Sequence, residues 1–241
     1  VPVTSEDESL SADGNRTETT TEDVSVGSVD TTGDVAYWSG FALYGVIEWE
    51  RYESLAQMTN TATVVILARA LGDGPIWTGH GDPDVAEDVI IVRSIRVEVL
   101  GVLAGELRPE DGSEIIVTGL AVPRGRPPSA PAVLFLRHHH DDRVQPPPPV
   151  IDDPADRAAY QAQKADYDAF AADTYRLVSS QGIFIETHDG VVNPARPSGG
   201  AISDEVSGRS FDELAADIAS VAGRPELGAT VEDFICCEPA E

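Results

Sequence analysis

Three consecutive histidines, His138-His139-His140, followed by Asp141 and Asp142, are the one run here that resembles a metal site. Imidazole nitrogens and carboxylate oxygens together suit zinc or copper. His138, His139, His140 and Asp141 are therefore the candidate ligands of a divalent metal. His80 or His188 could complete the set if folding brought either close. Consecutive residues of an extended chain point to alternate sides, and metal sites usually draw ligands from spaced positions on rigid elements. A solvated loop is thus the preferred reading of the run. Asp82-Pro83-Asp84 with Glu87 and Asp88 could hold calcium, but lacks the Asp-x-Asp-x-Asp-Gly spacing of a calcium loop. Cys236 and Cys237 are adjacent. They could close a strained vicinal ring, pair with another molecule or stay reduced. A phosphate-cradling Gly-rich loop and a Gly-x-Ser-x-Gly nucleophile elbow are both missing. In so acidic a chain, nearness in sequence singles out no acid/base pair. No catalytic residue and no organic cofactor is expected.

The elements that would position these residues read mainly as strands. Thr63–Arg69 is a continuous apolar run, expected to be buried on both faces. Within Val89–Val102, Ile95, Val97 and Val99 alternate with Arg96 and Glu98. Gly101 and Gly105 permit bends or bulges. Glu114–Thr118, Ala132–Arg137, Tyr175–Val178 and Ile183–Glu186 follow, with Ala132–Leu136 expected at the centre of the sheet. Between them Gly72–Asp88, Pro123–Pro131 and Pro194–Gly208 read as loops, and His188-Asp189-Gly190 as a turn. Tyr37–Tyr52, with Trp38 and Trp49, reads as a strand or irregular plug that packs a core edge.

Helices announce themselves by caps. Ser54 caps a short helix through Met58. Asp153 and Pro154 start a helix running to about Thr174, with one face of Ala155, Ala158, Ala162, Ala165 and Ala169 and another of Tyr160, Tyr167 and Phe170. Ser210 and Glu213 form a capping box, and Phe211, Leu214, Ile218 and Val221 recur at helical spacing. The expected fold is therefore mainly β (α+β): a small antiparallel barrel of five to six strands with a C-terminal capping helix. One helical insertion, residues 138–174, interrupts a barrel domain over 37–222. Residues 1–36 form an acidic Ser/Thr-rich arm, either disordered or strand-donating through Thr19–Val29. Residues 223–241 form an acidic tail.

Charge narrows the partners. Of 241 residues, 42 are acidic and 16 basic, a net charge of −26, and Lys164 is the only lysine. Nucleic acid and anionic membranes both demand clustered Lys or Arg, so neither is expected as a partner. The same balance fits a high-salt habitat or an Arg-favouring genome. No apolar run approaches the roughly 18 residues of a membrane span. Val1 is not an initiator Met, and this is read as removal of a preceding stretch, either in how the chain was made or by a signal peptidase. Asn15-Arg16-Thr17 matches a glycosylation sequon.

Several short motifs carry a resemblance over about residues 52–222. Val102-Leu103-Ala104-Gly105 ends a long strand, Leu134–Leu136 is a Leu-Phe-Leu strand, and Tyr175–Val178 is a Tyr-x-Leu-Val strand. Gly182 with Phe184 and the closing helix Ser210–Ala222 complete the pattern. The chain resembles a group of uncharacterised secreted or lipid-anchored bacterial proteins, best known from actinobacteria. The resemblance implies an oligonucleotide/oligosaccharide-binding-type (OB-like) barrel, similar to the netrin-like domains of metalloprotease inhibitors, and an extracellular or cell-envelope address. A lipid anchor stays open. Such inhibitors reach a protease zinc with an N-terminal cysteine, which this sequence lacks at that place, and the His138–Asp173 insertion is atypical of the bacterial group.

The expected function is an exported, non-catalytic binding module for a protein or glycan. One alternative is a subunit of an extracellular filament or assembly, joined through the N-terminal arm or the terminal cysteine pair. The other is a metal-binding protein centred on His138–His140.

Overall fold

The computed structural model describes residues 32–42, 51–81, 88–119, 125–139, 151–187, 189–193 and 200–222. Most of the expected arm, the C-terminal tail with Cys236 and Cys237, and His140, Asp141, Asp142 and His188 lie outside these residues. So do Asp82, Asp84 and Glu87.

Seven strands form one mixed sheet: β1 (Val64–His80), β2 (Val89–Gly105), β3 (Glu114–Gly119), β4 (Ala132–His138), β5 (Thr174–Leu177), β6 (Ile183–Thr187) and β7 (Gly190–Val192). Their order is β1-β2-β3-β5-β4-β6-β7, and β1 also pairs with β4. The pairings β1–β2–β3–β5–β4–β1 therefore return on themselves, so the sheet is partly ring-like. β3 and β5 run parallel, Ile116 opposite Thr174 and Val117 opposite Tyr175, whereas the other pairings are antiparallel. This corrects the expected five or six antiparallel strands. The parallel strands β3 and β5 are joined through β4 and a long segment carrying helix α3 (Pro154–Ala171), and a parallel pair requires such a long connection.

Burial explains why Ala132–Leu136 lacks alternation. One edge of β4 pairs with β1 along Ala132–Leu136, and its other edge pairs with β6 and then β5. Ala132, Leu134 and Leu136 join a core enclosed by the strands, with Val64, Ile66, Ile95, Val97, Val117 and Tyr175. Val133 and Phe135 face the other way, into a second core. That core is covered by α2 (Leu55–Thr61), α4 (Ala201–Val206) and α5 (Phe211–Ala222). Leu134 and Phe135 are both 0 % exposed, as a strand buried on both faces requires.

The caps expected from sequence are present. Ser54 Oγ accepts from Gln57 N at 3.1 Å, and Asp153 Oδ1 accepts from Ala155 N at 2.7 Å. Ser210 N donates to Glu213 Oε2 at 2.8 Å, while Glu213 N donates back to Ser210 Oγ at 3.3 Å. The bond from Ser210 N, then that from Ser210 Oγ at 3.2 Å, holds the Glu213 carboxyl below its usual range. Leu214 and Ile218 carry the buried face of α5, each stabilising by about 1.5–3 kcal/mol. Gly105 ends β2 at φ 70, where a Cβ would lie 2.1 Å from Thr63 O, so only glycine fits.

Four local readings are corrected. The Tyr37–Tyr52 plug instead begins in a helix, α1 (Thr32–Ala42), which also takes the last residues of the expected arm. Its Tyr37 and Trp38 are buried in the enclosed core, ring edge to face at 5.3 Å. The segment from Gly72 to His80 is strand rather than loop. Register shifts between Ala70 and Gly72 and between Asp73 and Ile76 absorb the Gly-Asp-Gly-Pro sequence. Ser94 Oγ donates to Pro75 O at 2.6 Å and stitches the irregular stretch to β2. Within Pro194–Gly208, α4 forms because Ile202 and Val206, four apart, both reach the second core. β7 extends the sheet beyond the Gly190 turn, pairing Val192 with Ile185.

Candidate binding surface

The hairpin of β1 and β2 outruns its neighbours. β4 covers β1 only along Val64–Ala68, and β3 covers β2 only along Arg93–Glu98. From Ile76 to His80 and Val89 to Val92 the two strands form a free-standing ribbon, with Trp77 opposite Val92 and Ile76 opposite Arg93. Side chains alternate along it, so its two faces differ.

The outer face is closed by the insertion helix. Trp77 Nε1 donates to Asp166 Oδ2 at 2.8 Å, and the Trp77 ring meets Tyr167 edge to face at 4.9 Å. His80 N donates to Gln163 Oε1 at 2.9 Å while Gln163 Nε2 donates to His80 O at 2.6 Å, so one amide side chain mimics a paired strand. Burial raises the Tyr167 phenol pKa. These three positions on α3 lie at i, i+3 and i+4, one helix face, whereas the alanine face is solvent-exposed. The α3 helix is therefore a brace laid along the ribbon.

The brace is itself anchored at its end. Arg108 Nη1 donates to Ala172 O at 2.8 Å, where the helix dipole favours a cation. Arg108 Nη2 also pairs with Asp111 Oδ1 at 2.7 Å, and Tyr175 Oη donates to Asp111 Oδ2 at 2.6 Å. Burial, then the bond to Asp111, pushes the Tyr175 phenol up to about 12. At Asp111 burial acts upward but is outweighed by the bonds from Arg108 and Tyr175, so its carboxyl sits below the usual range.

The histidines expected to ligate metal are tied into this framework. His138 Nε2 lies 3.2 Å from Ala172 O and its ring stands edge to face on Tyr175. A carbonyl only accepts, so His138 Nε2 carries the proton. Thr118 Oγ1 donates its one hydrogen to Tyr175 O at 3.0 Å, so His139 Nε2, 2.8 Å from Thr118 Oγ1, must be a donor too. Metal binding by either ring would use Nδ1 or break these bonds. His140 and Asp141 lie outside the described residues, and among the described residues no three ligand-type side chains gather. His80 is tethered through its backbone to Gln163.

The ribbon's inner face is open. Ile76, Val89 and Ile91 stand exposed on it, while Ile90 alternates onto the braced face and the other exposed large apolar side chains of the described residues, Leu71, Leu100 and Val102, lie elsewhere on β1 and β2. This surface is hidden in the sequence because Gly72–Asp88, rich in Gly, Pro and Asp, reads as a loop. The alternation of Ile76-Trp77-Thr78 against Val89–Val92 was the available signal.

No family model, curated protein or solved structure matches this chain. Among the described residues no helix is long and apolar enough to cross a membrane.

Proposed function

We propose that this protein is an exported, non-catalytic binding module built on an OB-like barrel, with the β1–β2 ribbon as its contact surface for a protein or glycan. The pairing order β1-β2-β3-β5-β4-β1 and the parallel β3–β5 pair support the barrel reading. In such barrels the loops after the first and fourth strands border the ligand, and here those connections carry the ribbon tip and α3. One observation carries the assignment: Ile76, Val89 and Ile91 stand exposed together on one face of a ribbon that a dedicated helix braces from behind. Contiguous exposed apolar surface on a highly charged protein marks a place of contact.

The test is retention of the full chain on arrays of cell-envelope proteins and glycans. The wild type should be retained by a discrete subset, and the Ile76→Asp/Ile91→Asp variant should lose it by about tenfold or more. Equal retention of both proteins would remove the assignment.

A second reading, a subunit of a surface assembly, is favoured by the edge of β2. Beyond Glu98 its side away from β1 meets no described strand, and the stretch Val99–Gly105 carries no charge and exposes Leu100 and Val102. Such an edge accepts a strand from another chain. Sedimentation decides: polymers that vanish on deleting residues 1–31 support assembly, and a monomer at all concentrations rejects it.

A further inference from the structure

We propose that the open face of the ribbon docks an extended segment of a partner protein that sets one carboxylate on Arg93 and apolar side chains at alternate positions beyond it. The proposal rests on the reading of this ribbon as the contact surface, and it narrows a protein or glycan to a protein of stated chemistry.

The face is a continuation of the core into solvent. On β2, Arg93, Ile91 and Val89 follow the alternation of buried Ile95 and Val97. Across the ribbon Ile76 stands opposite Arg93, Thr78 opposite Ile91 and His80 opposite Val89. Cross-strand partners share a face, so these six side chains form three successive rows. Ile76 is 53 % exposed, Val89 43 % and Ile91 41 %.

Arg93 is the feature that selects an occupant. Other arginines on and beside the sheet are paired, Arg69 with Glu98, Arg96 with Glu114 and Arg108 with Asp111. Arg93 is partly buried at the inner end of the face. Among the described residues its guanidinium has no hydrogen-bond or ion-pair partner, although the chain holds 42 acidic residues. A partly desolvated guanidinium beside apolar side chains is complemented by a carboxylate that arrives with apolar neighbours.

The spacing gives the form of the segment. Successive rows lie two residues apart, about 6.6 Å. An extended chain repeats its same-face side chains at that same interval, so a carboxylate over Arg93 places the second and fourth residues beyond it over Ile91 and Val89. A helix repeats about every 5.4 Å and falls out of step by the third row.

Other occupants fit less well. The face offers no Phe, Tyr or Trp ring on which a sugar could stack, because Trp77 is turned toward α3. The same face of a second copy would bring no carboxylate to Arg93, since none of the six residues is acidic. Two chains that each carry −26 also repel at low salt. For that reason the docking carboxylate belongs to a partner that is neutral or basic overall.

Selection of a random phage-displayed peptide library on the full chain tests this. A charge of −26 acting alone would enrich Lys and Arg throughout. The proposal expects one fixed Asp or Glu, with apolar residues two and four positions away. The enriched peptide, made synthetically, should bind about tenfold or more weakly when that carboxylate becomes an amide, and Arg93→Glu should cause a similar loss. Lys in place of the peptide's carboxylate should restore binding to the Arg93→Glu variant, a gain that misfolding cannot produce. Peptides without a fixed carboxylate, binding indifferent to Arg93→Glu, or no enriched sequence at all would each overturn the proposal. Glycans retained through Ile76 and Ile91 without any peptide enrichment would also overturn it and leave the binding module standing. The expected peptides without ribbon-dependent retention on the arrays would reject the function and leave the Arg93 pairing standing.

Discussion

At the scale of single residues, the most consequential group is the Arg108–Asp111–Tyr175 cluster. It joins the turn before β3 to the end of α3 and the start of β5. Asp111 is only 6 % exposed in its side chain, and its carboxyl pKa is depressed. A depressed carboxyl contributes stability above its ordinary value of 3.8, lost as pH falls through the lower folded value. Asp111→Asn should thus cost about 2 kcal/mol at neutral pH. The gap between the two proteins should close on acidification below about pH 4. Urea melts of both across pH check this; a gap constant with pH would show that the charge of Asp111 contributes nothing. None of this cluster was legible in sequence, because Arg108 and Tyr175 stand 67 positions apart and only the parallel β3–β5 pairing brings them together. The His138 and His139 contacts were hidden for the same reason. Their side chains are spoken for by Ala172 and Thr118, partners set by topology rather than spacing.

At the scale of elements, what could be read was what local chemistry dictates. Caps at Ser54, Asp153 and Ser210, the stripe on α5 and the apolar run of β4 each declare themselves over a few residues. What could not be read depended on distant partners. Gly72, Gly74 and Pro75 spell a turn, and only the long pairing with β2 turns them into bulges within a strand. Tyr37 and Trp38 suit a strand by propensity, but the enclosed core recruits them from a helix. The β4 assignment carries a firm expectation. Phe135, fully buried and stacked edge to face on Phe184 at 5.7 Å, should cost about 3–5 kcal/mol when replaced by Ala. A loss near zero in denaturant melts would contradict the two-core arrangement.

At the scale of the whole molecule, charge and apolar surface are divided. A net charge of −26 strains the folded state by self-repulsion. Raising sodium chloride from about 10 mM to 1 M, which shrinks the screening length from about 30 to 3 Å, should raise the urea midpoint. A midpoint that stays level or falls would mean that the carboxylates are already balanced by neighbours. The exposed large apolar side chains of the described residues, by contrast, all lie on β1 and β2, with Ile76, Val89 and Ile91 together on the open face of the braced ribbon, and this contrast underlies the functional reading. The most direct test places a photo-crosslinking phenylalanine analogue at Ile76 or Ile91 in the full chain, with Ala162 on the exposed face of α3 as control. In envelope extract, the ribbon positions should give a discrete adduct with one partner, and Ala162 should give none. Equal labelling from Ala162, or no adduct from the ribbon, would contradict the account.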